Sequence, residues 1–130
     1  CVVTDAFLHT VLGSHFAYHH VRTGLLVNLV ASRYIGACMA FRRPVLQACL
    51  PFPASKSLCP HDYWICLVAE ALFKVALLRE PCIYYRRHSF NLSSGGSKAS
   101  RPLSIVVGQR VYVSMCLLRR VLTYLVARNL

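Results

Sequence analysis

The segment HDYWICLVAEALFK, residues 61–74, constrains the fold most. Ile65, Val68, Ala69, Leu72 and Phe73 fall at i, i+3, i+4, i+7 and i+8, the spacing of one apolar helix face. Asp62 stands where an N-cap is expected. Glu70 and Lys74 form an i,i+4 pair on the single polar stripe. Upstream, PFPASKSLCP places three Pro in residues 51–60 and reads as a loop. A helix with so wide an apolar face has to bury it against a second layer.

The rest of the chain supplies that layer. Residues 1–8 read as the close of a strand and residues 9–20 as a loop. Residues 21–32 form a second helix, with Leu25, Leu26, Leu29 and Val30 at helical spacing. Residues 34–42 suit a buried strand. Pro44 fits the first turn of a short helix over 44–50. Short strands are expected at 75–79 and 82–86 around Glu80-Pro81, and a polar flexible loop at 89–101. From Pro102 to Leu130 the chain is apolar, punctuated by Arg110, Arg119, Arg120 and Arg128. At about 100° per residue, Arg110 and Arg119 lie on opposite sides, so the segment is not cleanly amphipathic. The order of elements is α/β, with a body over 1–101 and a helical tail over 102–130.

Composition narrows the partners. Twelve Arg and three Lys face four acids, for a net charge of +11. An Arg-rich excess favours phosphate and carboxylate contacts, so the expected partners are anionic: nucleotide diphosphate, nucleic acid or lipid. Nucleic acid is disfavoured, because the Arg residues are scattered among core-like segments instead of forming a basic stripe with aromatics. The hydrophobic fraction is 56% and the charged fraction 15%, against about 25% charged in an average domain. This excludes a disordered tail. It also implies that apolar surface meets something outside the chain: a missing protein half, a partner or an anionic membrane surface. No uncharged apolar run reaches the length of a spanning helix.

Seven Cys, an odd number with no C-x-x-C, indicate neither a disulfide framework nor a zinc ribbon and suit a reducing compartment. Cys59 and His61 with Cys66 lack zinc-site spacing, and His19-His20 read as an exposed loop pair. There is no Gly-rich phosphate turn and no D-x-D motif. The chain begins at Cys1 within what reads as running sequence, as a piece of a longer protein would.

Four stretches carry a resemblance: YIGACMAFRR at 34–43, LPFP at 50–53, HDYWI at 61–65 and EPCIYYRRHSFNLSSGG at 80–96. In this order and spacing they resemble glycosyltransferase family 2, the inverting GT-A enzymes, and within it the rhamnosyltransferase-like members. The resemblance implies the C-terminal, acceptor-side half of a GT-A fold with a helical tail. The donor half with its D-x-D would lie in a missing N-terminal part. It implies transfer of a sugar, rhamnose or a related hexose, from a nucleotide-sugar donor to a glycan or lipid-linked acceptor with inversion, in cell-envelope polysaccharide biosynthesis. The expected location is the cytoplasm, peripheral on the inner face of the membrane.

Residue by residue, the resemblance makes Asp62 the general base. Gly36, Ala37, Arg42, Arg43, His61 and Trp64 line the acceptor site, with Tyr63 where Trp is frequent in the family. Arg86, Arg87 and His88 cradle the donor diphosphate, His88 also as a ligand of a divalent metal, Mg or Mn. Gly95-Gly96 with Ser93 and Ser94 read as a lid. The residues support the same roles by their chemistry. Asp62 is one of four acids and sits at a helix start; an inverting displacement needs one positioned base and one cationic cradle. Arg86 and Arg87 alternate faces on a strand, so one of them points at any given site. The alternative reading is a non-catalytic basic module for a membrane surface or nucleic acid.

Overall fold

The structure, a computed structural model, describes residues 1–88 and 102–128. The fold is mixed α/β, with a small three-stranded sheet and a helical layer. The strands are β1 (Val2–Thr4), β2 (Thr10–Leu12) and β3 (Tyr84–Arg86), in the order β2-β1-β3. The helices are α1 (His15–Tyr18), α2 (Leu25–Ala31), α3 (Arg43–Cys49), α4 (His61–Leu72) and α5 (Leu103–Arg128), with a 3-10 turn at Gly36–Cys38.

The sheet forms where the chain can reverse tightly. Asp5 accepts from the Phe7 and His9 amides at 2.8 and 2.9 Å. This Asx-type turn brings β2 back antiparallel to β1, pairing Val3 with Leu12 and Thr4 with Thr10. The expected loop at 9–20 therefore contains a strand. It also contains α1, capped by the Ser14 hydroxyl on the Ala17 amide at 3.2 Å. On the other side β1 pairs parallel with β3, setting Val2, Val3 and Thr4 opposite Tyr84, Tyr85 and Arg86.

α4 is the centre of the molecule. Tyr63, Trp64, Ile65, Cys66, Leu67 and Val68 are all buried on it. Its neighbours close the core with Ala48 and Cys49 of α3 and Val113 and Leu117 of α5. Because α4 is covered on more than one side, its buried set is wider than the single stripe read from the sequence. Its N-cap is Pro60 and not Asp62. Pro60 has no amide to satisfy and fixes the entry of the chain, so the helix starts earlier and Asp62 falls in the first turn.

Glu70 does not pair with Lys74. Its carboxylate accepts from the Gly24 amide at 3.0 Å, Asn28 Nδ2 at 3.3 Å and the Tyr34 hydroxyl at 2.6 Å. These bonds tie α2 and the chain after it to α4. Desolvated donors outcompete a solvated ammonium, because each would cost more if left unpaired.

α5 is 26 residues long. Two of its arginines act as clamps on backbone carbonyls: Arg110 Nε donates to Val30 at 3.1 Å, and Arg120 donates to Leu50 and Pro51 at 2.6 and 2.7 Å. No helix among the described residues is long and apolar enough to cross a membrane.

Two expected strands are not present. Residues 34–42 bend into the 3-10 turn, and residues 75–79 are extended without a ladder. The 75–79 stretch keeps a strand-like alternation, with Val75 and Leu77 half-buried between exposed Lys74, Ala76 and Leu78. A strand is defined by a partner, and among the described residues neither stretch has one.

Candidate functional site

The N-terminal turn of α4, the connection after α2 and α5 meet around a cleft of about 160 Å³. Asp62 and Tyr63 enter it from α4, Ser32 and Tyr34 from the connection after α2, and Gln109 and Arg110 from α5. Gly36 packs directly against this corner. A Cβ at Gly36 would come within 3.1 Å of Asp62 Cβ, 3.6 Å of His61 Nε2 and 3.7 Å of Asp62 Oδ2. The small residue in YIGACMAFRR and the acid in HDYWI are thus parts of one corner, so close that a Cβ at Gly36 would press on the Asp62 side chain.

Asp62 is half-buried, and its Oδ1 accepts from the Tyr63 amide at 2.8 Å. Across the cleft Arg110 is fixed by its bond to Val30 and by its place 5.0 Å over the Tyr63 ring. Asp62 and Arg110 make no ion pair, although they line the same space. Burial raises the Tyr63 phenol, with the Arg110 charge opposing. Burial and its bond to Glu70 raise Tyr34 further, so both phenols stay protonated and act as donors. Tyr63 gives its proton to the Leu29 carbonyl at 2.6 Å.

The remaining expected residues are dispersed. His61 is exposed at the mouth of the corner, and Ala37 is exposed on the 3-10 turn. Trp64 is 1% exposed, and its Nε1 donates to the Cys49 carbonyl at 2.8 Å, so it is a core residue with no surface left for an acceptor. It points inward because it neighbours Asp62 on a helix whose other faces are buried. Arg43 opens α3 and is exposed. Arg42 lines a separate groove of about 1040 Å³, together with Arg33, Lys74 and Arg79 and without any carboxylate.

Arg86 lies in β3 opposite Thr4, and the Arg87 amide donates to the Thr4 carbonyl at 2.8 Å. Arg86 is exposed and Arg87 half-buried, as alternation requires. His88 follows, exposed, at the end of the sheet. YYRRH is thus placed on the sheet, and neither Arg86, Arg87 nor His88 lines the Asp62 cleft. Ser93, Ser94, Gly95 and Gly96 lie outside the described residues.

No group of three His, Cys, Asp or Glu side chains that could hold a metal occurs among the described residues. One imidazole at His88 does not make the oxygen-rich octahedral shell of Mg²⁺. The divalent metal expected from the resemblance therefore has no ligand set among them. All seven cysteines are free thiols. Burial pushes Cys49 up to about 11 and Cys59 and Cys66 up to about 12, which removes these three as nucleophiles.

Sequence reading missed Ser32, Tyr34, Gln109 and Arg110. For Gln109 a signal existed: it shares the i, i+4, i+8 row with Val113 and Leu117, a polar residue on a buried helix face. Nothing local marks Ser32 or Tyr34. Comparison with family models, with curated proteins and with solved structures gave no match.

Proposed function

We propose that the chain is the acceptor-side part of an inverting glycosyltransferase of the GT-A type, resembling family 2, with Asp62 as general base. The observation that carries this reading is the corner itself: a carboxylate in the first turn of α4, beside a glycine whose Cβ would lie 3.1 Å from the Asp62 Cβ, facing an open cleft. One carboxylate oxygen is held by the Tyr63 amide at 2.8 Å. The other is left to take a proton, which is how a positioned base is built.

In the reaction the acceptor hydroxyl oxygen bonds to the anomeric carbon as the bond from that carbon to the nucleotide diphosphate breaks. The bonding pair leaves with the diphosphate, and the hydroxyl proton passes to Asp62. Configuration inverts because attack and departure are on opposite faces. Donor binding has to come from another polypeptide element, since residues 1–130 hold no D-x-D and no Gly-rich phosphate turn. Arg86, Arg87 and His88 would face the donor diphosphate, and Arg42 or Arg43 a phosphate on a lipid-linked acceptor. The setting is the cytoplasmic face of a membrane.

The test is nucleotide release from UDP-glucose, GDP-mannose and dTDP-rhamnose by the chain together with its donor-binding half. Asp62→Asn is expected to lower the rate by about 10²–10⁴-fold with little change in donor affinity. A rate within twofold of the parent would remove Asp62 as the base.

A second reading, a membrane-surface module, is favoured by one observation. Val107, Val111, Met115, Leu118, Leu122, Leu125 and Val126 of α5 are all exposed. At about 100° per residue they share an arc of about 100°, and α5 carries no acid. Co-sedimentation with phosphatidylglycerol vesicles, lost in the double variant Leu118→Asp, Leu122→Asp, would support it. Equal binding to random duplex DNA would point to plain charge attraction.

A further inference from the structure

Residues 75–79 follow α4 as an extended chain whose backbone makes no hydrogen bond among the described residues. The side chains alternate as on a strand, with Val75 and Leu77 half-buried and Ala76 and Leu78 exposed. In an extended chain the N–H and C=O of one residue point to one edge and those of the next to the other, so both edges are unpaired. At about 3.3 Å per residue the segment offers roughly 17 Å of strand edge. The same residues form one wall of the groove of about 1040 Å³. Phe41 and Leu78 line that groove while 44% and 78% exposed, so apolar surface lies open beside the unpaired backbone.

Charge selects the occupant. Arg33, Arg42, Lys74 and Arg79 line the groove, and none of the four acids of the chain does. Arg33 is tied to the His19 and His20 carbonyls at 2.6 and 3.3 Å, and Arg79 lies 6.0 Å over the Phe16 ring. Lys74 makes no hydrogen bond or ion pair among the described residues. Lys74 and Arg79 stand at the two ends of the extended segment. Cations placed there repel a basic strand, which counts against a second copy of a chain with a net charge of +11. A fatty carboxylate would meet a cation and the apolar floor but leave the backbone of 75–79 to water. An extended acidic peptide meets all three: backbone pairs with backbone, alternate side chains enter the groove, and carboxylates face the cations.

We propose that residues 75–79 are a docking edge for an extended acidic peptide of a partner protein. The peptide adds a strand along them, with its apolar side chains in the groove and its carboxylates at Lys74 and Arg79. Asp62 does not line this groove, so the site is independent of the role given to Asp62 and adds a protein-binding function to the chain.

The experiment is a fluorescence-anisotropy titration of the 130-residue chain, at about 0.15 M salt, with a labelled octapeptide of alternating Val and Thr closed by Glu at both ends. Amide hydrogen exchange of the complex is followed by NMR. Binding is expected, with exchange of alternate amides within residues 75–79 slowed tenfold or more. The same peptide N-methylated at every second residue, made in both registers, should lose binding in one register, because methyl groups on the paired edge remove the donors and block approach. All these peptides carry one charge. Equal binding in both registers, or binding that leaves the amides of 75–79 unprotected, therefore shows plain charge attraction and overturns the proposal. The double variant Lys74→Glu, Arg79→Glu changes only exposed side chains. It should bind the Glu-ended peptide tenfold or more weakly and gain binding of a Lys-ended peptide, which an unfolded variant could not do. A variant that still prefers the Glu-ended peptide overturns the charge assignment. Absence of binding by the parent chain, displacement of the peptide by an equal concentration of dodecanoate, or self-association through 75–79 in sedimentation overturns the peptide site. Transfer by Asp62 is decided by its own rate assay, which none of these results touches.

Discussion

Glu70→Ala is the perturbation whose cost can be worked most directly from the structure. The carboxylate serves the Gly24 amide at 3.0 Å, Asn28 Nδ2 at 3.3 Å and the Tyr34 hydroxyl at 2.6 Å. Asn28 is 1% exposed and keeps the Arg22 and Gly24 carbonyls at 3.0 and 3.1 Å. Tyr34 keeps the Arg22 carbonyl at 3.2 Å. The Gly24 amide keeps nothing among the described residues. One orphaned donor and two lost bonds to a charged acceptor, each worth about 1.5–3 kcal/mol and not additive, give a loss of about 3 kcal/mol. For a chain of this size about 4 °C accompanies each kcal/mol, so the melting temperature should fall by about 12 °C. Glu70→Gln keeps one acceptor oxygen but turns an NH2 toward a donor, and should cost about 1–2 kcal/mol. Urea unfolding of the parent, both Glu70 variants and Lys74→Ala measures this through the midpoint at constant slope. Lys74→Ala should stay within about 0.5 kcal/mol, as an exposed side chain outside the network. A Glu70→Ala loss below about 1 kcal/mol, or an equal loss in Lys74→Ala, would refute the network in favour of the helix-surface pair.

Two further outcomes are expected. Gly36→Ala places a Cβ 3.1 Å from Asp62 Cβ at a site whose φ is not positive. Relief of unfolded-chain entropy, about 0.4–1 kcal/mol, should offset much of the clash. Stability should therefore change little, while sugar transfer falls tenfold or more through displacement of Asp62; a full rate would separate Gly36 from the site. His15 is 6% exposed with its ring 4.2 Å from that of His19, and burial followed by the His19 charge lowers its pKa to about 4. The unfolded chain takes up this proton first as pH falls, near its ordinary value of about 6.5, so stability present at neutral pH is lost on descending from about 6.5 to 4, by at most about 3 kcal/mol. Melting temperatures at pH 7.5 and 4.5 for the parent and His15→Gln test this, and an identical acid loss in the variant would exclude His15.

The sequence by itself determined what depends on neighbours along the chain. The apolar row from Ile65 to Phe73 specified α4, and Pro44 and the Leu25–Val30 spacing specified α3 and α2 to within a few residues. The resemblance made Gly36 an acceptor-site residue and Asp62 the base; the fold sets the two side by side, with a Cβ at Gly36 3.1 Å from the Asp62 Cβ. Tertiary structure decided everything set by which partner wins. Glu70 took three donors from α2 and its connection in place of one solvated Lys74, because desolvated groups gain more from pairing. Trp64 went to the core because α4 is covered on several sides, which no single-helix pattern reveals. Residues 34–42 and 75–79 kept strand-like composition without becoming strands, since a ladder requires a second backbone at the right distance. Arg110 and Arg120, read as punctuation in an apolar tail, became clamps on carbonyls from positions 30, 50 and 51. Gln109 acquired a cleft only when α5 packed beside Asp62. Between these residues lie 46 intervening positions, and only the packed helices bring them to one surface.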